Sequence, residues 1–475
     1  MGSLGATLAG ASSALAAFQY ALSVTQNNID NASTPGYAKQ TVALQADPFD
    51  PALGLTGGVS QGPLIDSRDL LAESDVWQQA SAQGDASAQS SALTAVQNAL
   101  PISDGGGIPA ALNTFFSDVS AWSATPADGS ARQNVMVAAS ALAQSFQTTA
   151  AAVAGASQSI SQDIGNTVGQ INQLTSQIAA LNAHIQNGAA QDQGTQAQLY
   201  SSLESLSGLV NISVLQQPGG VVNVTLSNGA ALVMGSQAYA LTSGNAAAAG
   251  QSIDTLAPPD VAIHASDGSL VNGEITSGTL AGLLQVRNVT IPGLIGDASQ
   301  PGALNQLASA LAGGVNAIVS QGSLTAGAQP TGVGLFTPPD PNHPTAAAST
   351  LAVDPNMTAS QLPAIDQNGV PNGVPLAIGD LANSTDAALG SVSYTTFYGN
   401  AAAQVGSQLN QAQTNQATTA QTLAQAQSMR QNQSGVSLDA EAINVLQFQA
   451  GYQAVAKLVN TLATLTQSLI DMIPG

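Results

Sequence analysis

Three histidines, no cysteine and scattered carboxylates are all that the sequence offers for catalysis or metal binding. A metal site needs His, Cys, Asp or Glu ligands at short recurring spacings, and covalent catalysis needs a nucleophile beside a base. His184, His264 and His343 lie far apart, and none has a ligand-spaced companion. Asp267–Glu274 opens like half a calcium loop but lacks the alternating oxygen ligands. With β-like runs on both sides, Asp267-Gly268 reads as a hairpin turn. Gly105-Gly106-Gly107 has no following Gly-Lys-Ser/Thr to cradle a phosphate, and no Gly-x-Ser-x-Gly elbow occurs. The expectation is a non-enzyme with no catalytic residue, no metal site and no cofactor.

One stretch does have informative residue types and spacing. Residues 27–40 contain Asn27, Asn28, Asn31, Thr34, Gly36, Tyr37 and Lys39. Asparagine side chains compete for backbone hydrogen bonds and so stop a helix. Pro35-Gly36 then redirects the chain, and Tyr37 can anchor the turn against a helix.

The elements that position this turn are helices with a heptad rhythm. Leu4, Leu8, Ala11, Leu15, Phe18 and Leu22 step 4-3-4-3-4, with Thr25 and Ile29 continuing the register. At the other end Val445, Phe448, Tyr452, Val455, Val459, Leu462, Thr466, Leu469 and Ile473 alternate steps of three and four. Such spacing is a coiled-coil seam. Either seam alone equally fits an amphipathic helix packed on its own domain. Two matching seams at opposite ends of the chain favour pairing with each other or with neighbours. Residues 1–38 carry one charge, Asp30, where an exposed coiled coil would carry many. These helices are expected to be surrounded by other helices.

A third seam runs Leu142, Phe146, Thr149, Val153, Ala156, Ile160, Ile164, Thr167, Ile171, Leu174, Ile178, Leu181 and Ile185, with a stutter between Ala156 and Ile164. As a helix this span is about 65 Å long, the spine of a rod. From about residue 211 the pattern changes to short β-like runs, Val214–Leu215, Val221–Leu226, Ala231–Val233 and Val261–Ala265, separated by glycine turns. Residues 279–322 return to helix, prolines crowd 329–375, and 384–434 are again helical.

Composition limits the partners. The chain has 27 acidic and 6 basic residues, a formal charge of −21, so it cannot neutralise a phosphate backbone and no nucleic acid is expected. No apolar run is long enough for membrane insertion, and no Lys or Arg precedes Lys39, as a secretory signal would require. If the chain is exported, it is expected to leave by a route that reads no cleaved signal peptide. Charged residues make up only 7%, which suits a subunit that sits against copies of itself.

Residues 27–40 resemble the N-terminal signature of the bacterial flagellar axial proteins, with Lys39 where arginine is commoner. The runs Ser434–Glu441, Leu446–Gln449 and Tyr452–Ala454 are similar to that family's C-terminal end. The interior resembles the hook–filament junction members, at the 142–185 seam, the 211–243 strands, Gly278–Leu284 with Arg287, and the Leu304–Gly322 helix. The resemblance fails across 329–383 and weakens at Gln198–Leu203, where many members carry Asp-Gln-Arg-Asp.

The resemblance implies an α+β, mostly α, chain threaded out and back. Residues 1–38 with 438–475 form an inner coiled-coil domain of terminal helices. Residues 39–210 with 279–326 and 384–437 form a helical rod domain. Residues 211–278 with 327–383 form a β-rich outer domain. It also implies an extracellular structural subunit of the flagellum that joins hook to filament by helical self-assembly. Its partners would be copies of itself, hook subunits, the next junction protein and a cytoplasmic export chaperone on the C-terminal helix. Another axial role, as hook, distal rod or filament subunit, or a secreted adhesin, are the alternatives.

Overall fold

The computed structural model describes residues 2–50, 55–101, 106–188, 192–227, 229–246, 252–254 and 257–471. The chain begins with helix α1 (Gly2–Asp30), followed by strands β1 (Gln40–Asp50) and β2 (Leu55–Asp66). Four helices follow: α2 (Leu70–Asn98), α3 (Gly107–Ala124), α4 (Gly129–Gln186) and α5 (Gln193–Leu209). Their starts are set by side-chain caps. Asp69, Asp128 and Asp192 accept hydrogen bonds from the first free amides of α2, α4 and α5.

Helix α4 is the spine, 58 residues and about 87 Å long. The expected seam is the face it buries, from Leu142 and Phe146 through Ile164 to Ile185. Just inside the stutter burial slips by one residue, to Ser157 rather than Ala156, and later to Thr175 rather than Leu174. Phe146 packs in one continuous core with Leu112, Phe115 and Trp122 of α3. Against α2 runs the antiparallel helix α11 (Tyr394–Ser434), joined to it by Glu73–Arg430, Gln83–Thr419 and Ser87–Gln416 bonds.

The strands hang on the spine. β3 (Ile212–Gln216), β4 (Val222–Leu226), β5 (Ala231–Met234) and β6 (Gln237–Ala238) form a four-stranded antiparallel sheet in sequence order. β7 (Thr242–Asn245) pairs with β8 (Val261–His264). Two asparagines of α4 clamp them: Asn182 donates to the Val222 and Gly235 carbonyls, and Asn172 both donates to and accepts from the Leu241 backbone. Buried side-chain amides serve this purpose because they supply a donor and an acceptor together. Asp267-Gly268 turns as a hairpin beyond β8, with Gly268 amide bonded to the Ala265 carbonyl.

Helices α6 (Thr279–Gln285) and α7 (Ile291–Ile295) are joined by a π-helical turn carrying the buried Arg287, and α8 (Ala303–Val319) follows. Residues 327–383 depart from the expectation that they would join 211–278 as one β-rich layer. They carry only isolated bridges, a 3-10 turn at Pro344–Ala346 and two short helices, α9 (Ala347–Thr350) and α10 (Gly373–Asp380). Their apolar residues Leu335, Phe336, Ala348 and Leu351 enter the core shared with α3, α4 and α8, where the Phe336 and Phe115 rings lie 6.1 Å apart. The proline spacing prevents long elements, so this segment buries its large residues from loops. The first part of 39–210 likewise differs from an all-helical rod: β1 and β2 form a long hairpin, paired from Gln40–Asp66 out to Asp50–Leu55. The chain ends in α12 (Leu438–Asp471).

Candidate functional site

Helices α1 and α12 pack antiparallel. Asn28 meets Glu441 at one end, Phe18 lies over Gly451 midway, and Gly10 and Ala11 face Val455 and Leu458 at the other end. A Cβ on residue 451 would press within 2.9 Å of the Phe18 ring, so glycine permits this crossing. Helix α1 buries its small residues Ala11, Ala14, Ala17, Ala21 and Val24. The expected packing residues Leu8, Leu15, Phe18, Leu22 and Ile29 flank this stripe and are half-buried. On α12, Leu462 is buried and Val445, Phe448, Tyr452, Val455 and Val459 are half-buried. The side chains of Leu4 and Leu469, and residue Ile473, lie outside the described residues. On the far side of α12 a second apolar stripe faces outward: Ile443 (64% exposed), Leu446 (67%) and Leu465 (50%).

The turn after α1 locks this pair to the rod. Asn28 is almost fully buried. Its Nδ2 donates to the Gln40 carbonyl at 2.8 Å and to Glu441 Oε2 at 3.1 Å. Its Oδ1 accepts from the Gln40 amide at 3.0 Å and from Tyr37 OH at 3.0 Å. Tyr37 OH also bonds Asn27 Oδ1, while Asn31 Nδ2 donates to the Asn27 carbonyl and Thr34 Oγ1 to Asn31 Oδ1. Burial, with Asp66 and Glu441 nearby, pushes the Tyr37 hydroxyl up to about 12, so it is a neutral donor here. Lys39 Nζ lies 2.8 Å from Glu441 Oε1, and its amide donates to the Ser434 carbonyl. Gly36 has φ +74°, and a side chain there would run into the Ala197 carbonyl of α5. All seven motif residues thus take part in one joint between α1, α12 and the rod.

Beside it lies a charge cluster that sequence reading missed. Glu73, whose side chain is 1% exposed, accepts from Arg68 Nη1 at 2.7 Å and Arg430 Nη1 at 3.2 Å. Arg430 also reaches Glu204 Oε2 at 2.7 Å. Burial alone would lower the Arg430 pKa, but Glu204 and Glu73 raise it. Arg68 further donates to the Gly36 carbonyl and stacks 3.7 Å from the Tyr200 ring centre. Tyr200 therefore packs the segment where the family resemblance weakens, and it stacks on Trp77. The signal for this cluster was scarcity. Lys39, Arg68 and Arg430 are half of the chain's six cations, and a charge kept in so uncharged a chain marks a fixed partner.

Among the described residues no three His, Cys, Asp or Glu side chains are grouped to hold a metal ion, and no helix is long and apolar enough to cross a membrane. His184 is exposed on α4.

Paired terminal helices, a polar joint and a helical rod with strands hung upon it define a flagellar axial type of chain. The ends match family models of such proteins: "Flagella basal body rod protein" over residues 8–37 and "Flagellar basal body rod FlgEFG protein C-terminal" over 425–472. The model "Flagellar hook-associated protein FlgK helical domain" matches residues 93–336, half of the chain, and the chain belongs to that family. Flagellar hook-associated protein 1 of Bacillus subtilis is 26% identical over 97% of this chain and 96% of its own length. The Salmonella typhimurium protein of that name is 29% identical over 66% of this chain and 56% of its own length. The fold resembles that of the flagellar hook junction protein FlgK from Burkholderia pseudomallei, with a TM-score of 0.60 and 18% identity over 76% of this chain and all of that one. The chain is a structural component of the bacterial flagellum, of the hook–filament junction class.

Proposed function

We propose that copies of this chain polymerise head-to-tail through their terminal helices and form the adaptor between hook and filament. A contact that is not self-matching generates an open helical array. The outward apolar stripe of α12 carries this reading: Ile443, Leu446 and Leu465 have no partner face within the described part of one chain. The proposed inner domain is 1–38 with 438–475, around a tube. The proposed rod is 39–210 with 279–326 and 384–437, joined by the 327–383 loops, with the 211–278 strands outermost. Hook subunits would contact one end of the array and the next junction protein the other. Before assembly the same stripe needs cover, which suits a cytoplasmic chaperone on α12, followed by export without a cleaved signal. The protein works by geometry, with no catalysis and no cofactor.

The test is Leu446→Ser with Leu465→Ser. Both residues are exposed, so the monomer should melt unchanged while cells lose filaments and shed the chain into the medium. Normal filaments on such cells would refute the assembly role of this face.

A further inference from the structure

From a knob and a socket on the same chain, we infer a second contact between copies, which rests on the polymerisation reading. The knob is Phe49, 73% exposed near the tip of the β1–β2 hairpin and seated across the strand on Gly57. The socket is a half-open cleft of about 540 Å³ between α2 and β3, lined by Leu70, Trp77, Tyr200, Ile212 and Val214 among others, all of them uncharged. Leu70 at its rim is 47% exposed.

Two features make this cleft a receptor for an extended segment. β3 is the outer strand of its sheet. The Gln217 amide bonds the Val221 carbonyl, so alternation along the ladder turns Leu215 and Ser213 toward β4. The N–H and C=O of Ile212, Val214 and Gln216 consequently face away from the sheet. This edge also lacks the usual protection: Ile-Ser-Val-Leu-Gln contains no charge and no proline. The β1–β2 hairpin, by contrast, carries Asp47, Pro48, Pro63 and Asp66.

Geometry selects a second copy as the occupant. The hairpin runs from Gln40–Asp66 at the joint to Phe49–Thr56 near its tip. Nine residues (49 − 40) at about 3.3 Å each put Phe49 about 30 Å from that base. Gly58, across the hairpin from Asp47, lies by Gly10 on α1, whereas the cleft starts at Leu70, four residues (70 − 66) beyond the base. One chain cannot fill its own cleft, but a copy displaced along the rod by about this distance can. The contact joins unlike surfaces and does not close on itself, as an open array requires. A buried aromatic anchor in an uncharged pocket is the kind of residue that carries much of an interface's energy.

The test places p-benzoylphenylalanine at position 49 of the full-length chain, and irradiates isolated hook–filament appendages. The expected product is a chain dimer whose adduct joins position 49 to residues 70–77 or 200–216. An adduct within one chain, to another segment or to a different protein overturns the inference while leaving polymerisation intact. Absence of the unmodified chain from the appendages would instead sink the polymerisation reading, and the inference with it. Independently, Phe49→Ser and Leu70→Lys, the latter at the exposed rim of the cleft, should each cut incorporation at least tenfold with secretion and melting of the monomer unchanged. Incorporation at the normal level by both variants overturns the inference.

Discussion

Replacing Asn28 by alanine should loosen the joint between the terminal helices and the rod by a calculable amount. The side chain is 1% exposed and makes four hydrogen bonds. Tyr37 keeps a second acceptor in Asn27, so its loss is small. The two bonds to the Gln40 backbone contribute about 1 kcal/mol each, and the bond to the Glu441 carboxylate about 2 kcal/mol. The sum is about 4 kcal/mol, or roughly a thousand-fold in the opening equilibrium at about 1.4 kcal/mol per decade. The reporter is the Lys39 amide, which is bonded to the Ser434 carbonyl across the joint and is untouched by the substitution. Native-state hydrogen exchange at Lys39 should accelerate by about three orders of magnitude in Asn28→Ala. Thr34→Ala, which removes an exposed bond to Asn31, should change it by less than about 0.5 kcal/mol. An acceleration below tenfold for Asn28→Ala would refute the assignment of Asn28 as the centre of the joint.

Glu73→Ala leaves the Arg68 and Arg430 guanidinium groups facing each other without their shared carboxylate, and urea unfolding should show a loss of about 3–5 kcal/mol. Gly155→Ala should do the opposite: position 155 is exposed in the middle of α4 with open space around it, so thermal unfolding should report a gain of about 1 kcal/mol. The His343–Asp254 contact predicts a pH dependence. Its hydrogen bond raises the imidazole above its usual range. The stabilisation is then complete below the unfolded value of about 6.5 and is lost as pH rises through the folded one. Denaturation midpoints should therefore separate wild type from His343→Gln more at pH 5.5 than at pH 8.5.

What was legible in the sequence follows from how local each signal is. The α4 seam was readable because a helix repeats its buried face every three or four residues, and Leu142 to Ile185 do so almost without a break. The motif at 27–40 was readable as a helix stop, but not that Asn28 would bridge Gln40 and Glu441, which are brought together only by folding. In α1 the large residues drew attention, yet the face buried deepest is the alanine stripe, because small side chains let α12 and the hairpin approach closely. The β1–β2 hairpin was missed although Thr41 to Ala46 alternate; few of those side chains are buried, so the period-2 pattern is faint. Phe336 and Leu351 reach the core from loops, where no periodicity announces burial. The Arg68–Glu73–Arg430–Glu204 cluster draws on three separate stretches of chain, which only folding brings together.

The most direct measurement is electron cryo-microscopy of the hook–filament junction from cells producing this chain, at a resolution that distinguishes side chains. The account predicts successive copies with α1 and α12 innermost, and Ile443, Leu446 and Leu465 covered by a neighbouring copy. Copies held together by other surfaces, with that stripe of α12 still facing water, would contradict it.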